Sequence, residues 1–352
     1  MANPRIAVIA GDGIGKEVVP EGMRVVDAAG RKWGFSIDWD SYDWSCEHHD
    51  RTGRMMPEDG LSRIAGHDAI FLGAIGWPNV PDPVSLWTLL MPIRRDFQQY
   101  ANVRPVRLFD GVPSPLAGRK PGDIDMLIIR ENNEGEYSEI GGRLYKGTDN
   151  ELALQESIFT RVGVDRIMRY AFARAAERPR KSVTSATKSN GIIHTMPFWD
   201  ERFRAISADN PGIATAQFHI DILAAHFVLR PERFDVVVAS NLFGDILSDL
   251  GPAVAGTIGI APSGNINPER RFPSMFEPVH GSAPDIAGKK IANPVGQIWS
   301  GAMMLEHLGH KDAADGIVKA IERVLASRSV LTPDMGGTAS TEAMGEAIAS
   351  AL

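Results

Sequence analysis

Residues 235–250 read Asp-Val-Val-Val-Ala-Ser-Asn-Leu-Phe-Gly-Asp-Ile-Leu-Ser-Asp-Leu, and this stretch decides the fold. Its first five residues form a short apolar run typical of a buried strand, and a helical stripe follows directly: Leu242, Phe243, Ile246, Leu247 and Leu250. Similar runs predict strands at residues 5–10, 69–74, 125–129 and 182–186. Further stripes predict helices around residues 18–26 and 317–325. Alternating strands and helices predict an α/β fold with a mostly parallel sheet.

The composition is that of a globular protein with two domains or one large α/β unit. Of 352 residues, 43% are apolar and 23% are charged, which suffices for a sizeable core. No apolar run reaches the roughly 18–20 residues of a membrane helix, and residues 1–10 lack the pattern of a signal peptide. The single cysteine, Cys46, excludes an intrachain disulfide and a thiolate metal cluster. We therefore expect a cytoplasmic protein with no membrane partner.

The net charge argues against a nucleic-acid partner. There are 37 Lys and Arg residues against 44 Asp and Glu residues, which leaves −7 at pH 7. Nonspecific binding to nucleic acids depends on neutralising phosphates, so this balance opposes it. A small anionic substrate remains compatible, because a local group of arginines can oppose the overall field.

A glycine-rich turn follows the first predicted strand. Residues 11–15 read Gly-Asp-Gly-Ile-Gly, whereas the dinucleotide-binding fingerprint is G-x-G-x-x-G. Asp12 would also place a negative charge against a pyrophosphate. We interpret the segment as a tight strand-to-helix turn and predict that the fold is not a Rossmann fold.

Three aspartates form a candidate metal site. Asp245 and Asp249 are four residues apart, so both carboxylates lie on one helix face, opposite the apolar stripe, and Asp221 is the third. Carboxylate oxygens suit Mg²⁺ or Mn²⁺ better than zinc. Spacing alone leaves a second interpretation open, because acidic residues are also common in the first turn of a helix.

Other polar residues suggest a substrate site and its acid–base groups. Arg130 ends a predicted strand, where α/β proteins bind ligands, and Arg94 and Arg104 offer further guanidinium groups that can grip carboxylates. Tyr137 and Lys188 follow strand-like segments and are candidates for general acid and base. Each of these side chains alone has a surface ion pair or hydrogen bond as its alternative role.

A second loop carries the small residues that let a backbone approach a ligand closely. Residues 280–287 read His-Gly-Ser-Ala-Pro-Asp-Ile-Ala, and Asn293 follows. Asp285 is placed to accept hydrogen bonds from ribose hydroxyls, the acidic device that selects NAD over NADP. The stretch by itself is also compatible with an ordinary loop.

Together these motifs resemble those of the β-decarboxylating dehydrogenases, the isocitrate/isopropylmalate dehydrogenase family. The likeness runs nearly end to end and rests on the glycine turn and on residues 102–105, 129–132, 187–190, 241–249 and 277–285. It implies a two-domain, non-Rossmann α/β fold with a mostly parallel central sheet. It also implies oxidation of a (2R)-hydroxy acid with NAD(P) and a divalent metal.

The resemblance implies a role for each motif residue. The substrate-binding residues would be Arg94, Arg104, Arg130 and Leu90. The catalytic residues would be Tyr137, as general acid, and Lys188, which helps to deprotonate the hydroxyl. The Mn²⁺ or Mg²⁺ ligands would be Asp245, Asp249 and Asp221, with Lys188 and Asp221 supplied by the partner subunit of a homodimer. The NAD-binding loop would contain His280, Gly281, Ser282, Ala283, Pro284, Asp285, Ile286 and Asn293.

The resemblance also implies interleaved domains. The larger would comprise residues 1–103 and 256–352, with both termini and most of the cofactor site. The smaller would comprise residues 104–255, with the metal ligands, a dimer arm and the dimer interface. Residues 151–162 alternate differently from the core strands and are the candidate arm.

Residues 85–94, Ser-Leu-Trp-Thr-Leu-Leu-Met-Pro-Ile-Arg, are expected to select the substrate. The run resembles that of the tartrate/D-malate group, because Trp87 stands near the position where isopropylmalate enzymes usually hold a glutamate. We therefore expect a C4 acid, D-malate or a tartrate, and this group suggests K⁺ as an activating ion. Oxidation of 3-isopropylmalate is the alternative if residues 89–91 line a roomy apolar pocket. A noncatalytic regulatory subunit is disfavoured, because the catalytic and metal positions all carry functional residues.

Overall fold

The computed structural model describes residues 3–352; Met1 and Ala2, the start of the larger predicted domain, lie outside the described residues. The strands are β1 (Arg5–Gly11), β2 (Asp38–Tyr42), β3 (Ala69–Ala74), β4 (Ala101–Arg107), β5 (Asp125–Glu131), β6 (Gly141–Leu144), β7 (Leu152–Gln155), β8 (Ser182–Thr187), β9 (Ala214–His219), β10 (Val236–Ala239), β11 (Pro262–Ile266) and β12 (Ser274–Pro278). The α-helices are α1 (Gly15–Trp33), α2 (Cys46–Thr52), α3 (Gly60–Ile64), α4 (Asp82–Ser85), α5 (Met91–Asp96), α6 (Arg161–Glu177), α7 (Thr195–Ala208), α8 (Ile220–Leu229), α9 (Asn241–Ala255), α10 (Val295–His307), α11 (Lys311–Ser327) and α12 (Thr341–Ser350).

Ten strands form one sheet in the order β2-β1-β3-β12-β11-β4-β5-β10-β8-β9. The pairs on both flanks are parallel, as predicted. The three central pairs, β12–β11, β11–β4 and β4–β5, are antiparallel. A Rossmann sheet is built from parallel βαβ units throughout, so these central pairs agree with the prediction of a different α/β fold.

The central antiparallel strands place residues from distant parts of the sequence on one face. Asn102 pairs with Arg130 across β4 and β5, and with Asn265 across β4 and β11. Because side chains alternate between the two faces of a strand, Arg104 shares the face of Asn102 and Arg130. We call this the front face of the sheet, and the opposite side the rear face.

The five predicted strands are confirmed, and the sequence pattern missed the others. β2 and β9 lie at the two edges of the sheet and are polar and partly exposed. β11, with the sequence Pro-Ser-Gly-Asn-Ile, is fully buried. Its proline and glycine give it a weak strand propensity, for which its place between β12 and β4 compensates.

Helix α9 corrects the predicted apolar stripe. Phe243 and Leu247 are buried, but Leu242 and Ile246 are 37% and 49% exposed. The buried face also contains Gly244, where a Cβ atom would lie 2.6 Å from the side chain of Arg130. A glycine is therefore required where the Arg130 side chain passes the helix.

Two apolar surfaces of the chain remain exposed. β6 and β7 pair as an antiparallel hairpin whose strand residues are all exposed, including Leu144, Leu152 and Leu154. On α8, Ile222 and Leu229 are 45% and 65% exposed. Apolar patches of this kind mark interaction surfaces. Within the described part of the chain, no helix is both long enough and apolar enough to cross a membrane.

Candidate active site

Arg130 is the centre of the front-face site. Its Nε and Nη2 atoms donate to Asn241 Oδ1 at 3.0 and 2.6 Å, and Nη1 donates to the carboxylate of Asp245. The residue is only 3% exposed, and this burial lowers the pKa of Arg130 to about 10. Two partners on α9 thus fix the guanidinium plane at the end of β5.

Tyr137 and Asp245 form a hydrogen-bonded pair in the site. The phenol Oη donates to Asp245 Oδ2 at 2.7 Å. Burial, followed by the hydrogen bond to Asp245, raises the pKa of Tyr137, so the phenol stays protonated at neutral pH. Burial opposes ionisation of Asp245, but the charge of Arg130 and the Tyr137 hydrogen bond outweigh it, and the pKa of Asp245 is lowered.

The other two predicted substrate arginines lie on the same face. Arg104 Nη1 donates to Ser248 Oγ at 2.7 Å and lies 3.5 Å from Asp249 Oδ1. Burial lowers the pKa of Arg104. Arg94 Nη2 donates to Glu277 Oε1 at 2.8 Å. The structure therefore brings the three arginines to one edge of the antiparallel strands.

A buried amide network joins these strands beneath the arginines. Asn265 Nδ2 donates to Glu277 Oε1 at 2.7 Å, and Asn265 Oδ1 accepts from the side chains of Asn102 and Asn132 at 3.0 and 2.9 Å. Hydrogen bonds between buried side chains fix the positions of those side chains. The same oxygen, Glu277 Oε1, thus accepts from both Arg94 and Asn265.

The loop that carries Tyr137 is attached to the start of α9. The carboxylate of Glu136 accepts from Ser240 Oγ at 2.7 Å and from the backbone N–H of Leu242 at 3.0 Å. A carboxylate at a helix N-terminus satisfies free N–H groups and complements the helix dipole. Glu136 therefore fixes Tyr137 and Asp245 relative to each other.

Lys188 and Asp221 form a separate pair. Lys188 Nζ lies 3.0 Å from Asp221 Oδ1, and the side chain of Asp221 is 67% exposed. Within residues 3–352, no ion pair or hydrogen bond joins this pair to Tyr137, Asp245 or Asp249, and no cluster of three metal-ligating side chains forms. One chain therefore does not bring all the predicted catalytic and metal residues together.

The donor set on α9 nevertheless fits a hard divalent cation. Asp245 and Asp249 present carboxylate oxygens on adjacent turns of one helix, with side chains 36% and 60% exposed. Mg²⁺ and Mn²⁺ prefer such oxygen donors and keep several positions for water or substrate. Asp245 and Asp249 are therefore suited to hold a cation that still has open positions.

The predicted cofactor loop packs against the glycine turn. The backbone N–H of Ile14 donates to Ser282 O at 2.9 Å, and a Cβ atom at Gly13 would lie 2.0 Å from the same oxygen. Asp12 is not free to meet a ligand, because its carboxylate accepts from the backbone N–H groups of Cys46 and Gly76. These contacts support the interpretation of a tight turn.

A groove of about 480 Å³ separates the cofactor loop from residues 75–82; Gly281, Ser282 and Pro284 line it. Burial lowers the pKa of His280, and its Nε2 atom is buried without a partner. Asn293 is already bonded, to Asp334 at 3.0 Å and to the backbone N–H of Val295 at 3.1 Å. Asp285 is exposed, and Ala283 and Ile286 pack beside Ile14. Asp285, which follows Pro284 of the groove lining, therefore leaves an exposed carboxylate available to a ligand, whereas the buried His280 Nε2 atom is not accessible.

The predicted specificity segment is one helical stretch in which residues 86–90 form a π-helical turn. Leu89 and Met91 are buried in the protein, at 0% and 3% exposure, and only Leu90 is partly accessible. The Trp87 ring stacks with the Arg95 guanidinium at 4.8 Å, and Arg95 in turn donates to Tyr137 O at 3.2 Å. Residues 89–91 therefore do not all line one roomy pocket, and Trp87 supports the Tyr137 loop.

Several functional positions were not identified from the sequence as site residues: Glu136, Asn241, Ser248, Asn265 and Glu277. Asn241, Ser248 and Glu277 each bond an arginine, Asn265 bonds Glu277, and Glu136 fixes the Tyr137 loop, all through contacts distant in sequence. The only signal available was their position inside or beside the quoted motifs, since Asn241, Ser248 and Glu277 fall in residues 241–249 and 277–285.

Glu131 is a buried carboxylate directly behind Arg130. Its Oε1 atom accepts from the backbone N–H groups of Asn133 and Glu134 at 2.8 and 3.2 Å, while Oε2 has no partner. The nearest cation is Arg166, at 3.6 Å. Burial raises the pKa of Glu131 to about 7, although Arg166 partly offsets it.

Glu131→Gln is expected to flatten the pH dependence of stability. The window runs from pH 4.5, the ordinary pKa of a glutamate, to about pH 7, the pKa of Glu131 in the folded protein. Within it the native state retains a proton that the unfolded state releases, so the free energy of unfolding falls as pH rises. The wild type should lose on the order of 2 kcal/mol more than the variant between pH 5 and pH 8. Urea unfolding of both proteins at the two pH values measures this difference. Parallel pH profiles would contradict it.

Comparison with known proteins agrees with this geometry. The isocitrate/isopropylmalate dehydrogenase family matches residues 5–348. The chain is 60% identical to the D-malate dehydrogenase [decarboxylating] of Escherichia coli (strain K12), covering 99% of this chain and 98% of that protein. It is also 60% identical to the tartrate dehydrogenase/decarboxylase of Pseudomonas putida, covering 99% and 97%.

Solved structures give the same result. The isocitrate dehydrogenase of Methylococcus capsulatus superposes with a TM-score of 0.89 at 35% identity, covering 99% of both chains. The resemblance inferred from the motifs is thus confirmed over the whole described fold. The chain belongs to the isocitrate/isopropylmalate dehydrogenase family.

Proposed function

We propose that this protein is a cytoplasmic, NAD-dependent dehydrogenase that oxidises tartrate and oxidatively decarboxylates D-malate and meso-tartrate, with Mn²⁺ or Mg²⁺ and with K⁺ as an activator. The observation that carries the proposal is the front-face site, where Arg130, Tyr137 and Asp245 lie in direct contact. The 60% identity to enzymes with these activities supports the choice of substrate.

Three arginines bind the two substrate carboxylates. Arg130 is held by Asn241, and Arg94 is held by Glu277, so both guanidinium groups are oriented before a substrate arrives. Arg104 adds a third charge that burial keeps poorly solvated. Oriented guanidinium forks bind carboxylates in a bidentate way, and a preordered site loses less entropy on binding. A dicarboxylic acid is therefore the class of substrate that this site fits.

Two groups of the protein move the protons. Lys188, ion-paired with Asp221 at 3.0 Å, assists removal of the proton from the substrate hydroxyl. Tyr137, whose pKa is raised by burial and by Asp245, keeps its proton at neutral pH. It donates that proton to the carbon from which carbon dioxide has left. Glu136 and Arg95 keep the Tyr137 loop in place during this exchange.

The cofactors complete the reaction. A divalent cation held by Asp245, Asp249 and Asp221 of a second subunit would supply positive charge beside the hydroxyl and the developing enolate, and NAD in the groove beside Ser282 would accept the hydride. Asp285 and Ile286, which are neither basic nor phosphate-binding, favour NAD over NADP.

We further propose a homodimer with shared sites. The exposed apolar surfaces of the β6–β7 hairpin and of α8 and α9 form its interface, and residues 104–255 form the smaller of two interleaved domains. Ile222 on α8 follows Asp221 directly, so the interface would carry Asp221 and Lys188 toward the site of the other subunit. A symmetric pair of sites would result.

A C4 substrate fits the specificity segment better than 3-isopropylmalate. Leu89 and Met91 are buried in the protein, so Leu90 is the one residue of 89–91 available to a C3 substituent. A noncatalytic regulatory subunit is not favoured, because the Tyr137–Asp245 and Lys188–Asp221 pairs are both intact.

A substrate panel tests the proposal. Purified protein with NAD, Mn²⁺ and K⁺ is expected to form NADH with D-malate or a tartrate at a kcat/KM at least about 10-fold above that for 3-isopropylmalate, since one or two methylenes change such ratios by this order. A clear preference for 3-isopropylmalate would instead assign the alternative activity. Tight binding of acid and nucleotide without any turnover would support the regulatory subunit.

A further inference from the structure

A second cavity lies on the rear face of the sheet, directly behind the site described above. It encloses about 450 Å³, within the range of small-molecule sites, and we call it the rear cavity. Its floor is apolar: Val103, Ile266, Phe276 and Met303. Its rim is charged: Arg174, Glu177, Arg270, Glu306 and Lys311.

The floor of the rear cavity and the front site share the same strands. Val103 precedes Arg104 on β4, and Phe276 precedes Glu277 on β12. Ile266 follows Asn265 on β11. Successive side chains of a strand point to opposite faces, so each of these three floor residues is the immediate neighbour of a front-site residue.

The rim carries cations that the protein does not fully pair. Arg174 binds Glu177 and Glu306, both at 3.1 Å, yet its Nε atom is buried without a partner. Within residues 3–352, Arg270 and Lys311 have no carboxylate within ion-pair distance, in contrast to Arg174. An excess of cations over an apolar floor suits an anion with an apolar body.

The electrostatics at the neighbouring histidine agree with this arrangement. His307 lines the rear cavity, and burial, together with the charges of Arg270 and Arg174, lowers its pKa to about 4. The guanidinium charges of Arg270 and Arg174 thus both act on the His307 ring, which is neutral at physiological pH.

The walls of the rear cavity come from two groups of strands. α6, which carries Arg174, packs on β5, β8 and β10, whereas α10, which carries Glu306, packs on β3, β11 and β12. The front site is divided in the same way, because Arg130 lies on β5 and Glu277 lies on β12. Drawing α6 and α10 closer together on the rear face would therefore move Arg130 and Glu277 further apart on the front face.

We propose that the rear cavity binds a small organic anion, a phosphate ester or carboxylate with an apolar body, and that its occupant raises KM at the front site. The anion contacts Arg270 and Lys311, and its apolar part lies on Phe276 and Met303. Binding is independent of the proposed function, whereas the effect on KM rests on it.

Calorimetry with phenyl phosphate tests the binding. Arg270→Glu combined with Lys311→Glu is expected to weaken binding by about 10-fold or more, since two attractive charges become repulsive. Arg271→Glu, an exposed neighbour outside the rear cavity, should stay within about 2-fold, and so should Arg104→Ala on the front face. Inorganic phosphate should bind about 10-fold more weakly than phenyl phosphate, because it buries no apolar surface.

Kinetics test the coupling. Phenyl phosphate should raise KM for D-malate by about 3-fold or more in the wild type with kcat little changed, and should have no such effect on the double variant. Equal binding by the wild type and the double variant, or loss of binding in Arg104→Ala, would overturn the site. An equal rise of KM in both proteins would overturn the coupling. Absence of turnover with every hydroxy acid would refute the proposed function and leave the calorimetric result to decide the site.

Discussion

Replacing Asp245 by asparagine is expected to lower kcat/KM for D-malate by about 10³-fold or more, because one carboxylate serves three partners. Asp245 accepts from Tyr137 at 2.7 Å, pairs with Arg130, and is a proposed cation ligand. The change removes the charge that keeps the phenol positioned as an acid. It also leaves the buried Arg130 without its compensating anion.

The loss should be one of cation affinity and chemistry, not of folding. Asp245 side-chain exposure is 36%, and Arg130 keeps its hydrogen bonds to Asn241, so the variant should still fold cooperatively, with a midpoint of thermal unfolding lowered by the loss of the Arg130 anion. Mn²⁺ binding followed by electron paramagnetic resonance should weaken by about 10-fold or more. Asp312→Asn, at an exposed acid in the first turn of α11, is the matched control. Normal activity of Asp245→Asn at limiting Mn²⁺ would refute the assignment.

Mixing two inactive variants is expected to restore activity. Tyr137→Phe and Lys188→Ala should each reduce kcat by about 10²–10⁴-fold, the usual contribution of a general acid or base. If each site takes Tyr137 from one subunit and Lys188 from the other, a mixed dimer has one intact site and one site with both changes. Random exchange of subunits should then recover about one quarter of the wild-type activity.

The restored activity has a specific control. Tyr137→Phe mixed with Tyr137→Phe,Lys188→Ala has no subunit that supplies a normal tyrosine, so activity should stay at the level of the single variants. Recovery of activity when Tyr137→Phe is mixed with Lys188→Ala, and not in the control mixture, would support a site shared between subunits. No recovery, with exchange verified by mass spectrometry of differently tagged subunits, would place all catalytic groups in one subunit.

The parts of the fold that the sequence predicted are those with strong local patterns. The valine-rich β10 could be identified because it is a continuous apolar run, and the helix after it because its apolar residues recur at helical spacing. β11 could not, since its residues pack between β12 and β4 and need little propensity of their own. Leu242 and Ile246 were assigned to the buried stripe because an apolar residue on a helix gives no sign of which neighbour covers it.

The site residues also fall into those with a local sequence signal and those without one. Motif residues such as Arg130 and Asp245 were identified by the resemblance and lie in contact. Their supports, Asn265 and Glu277 among them, act across strands far apart in sequence, and spacing along one chain does not contain that information. Lys188 and Asp221 show a further limit, since a single chain leaves them apart from the other proposed catalytic and metal-binding residues.

Side chains alternate between the two faces of the sheet along β4, and this alternation restricts where the chain can gain or lose residues. Val103 faces the rear cavity and Arg104 faces the substrate site, and they are consecutive residues. Deleting one residue from β4 would exchange the faces, bringing a methyl group where a guanidinium is needed and a charge onto an apolar floor. Insertions and deletions in descendants of this sequence should therefore accumulate in loops such as residues 111–122, while the spacing within β4 and β12 stays constant.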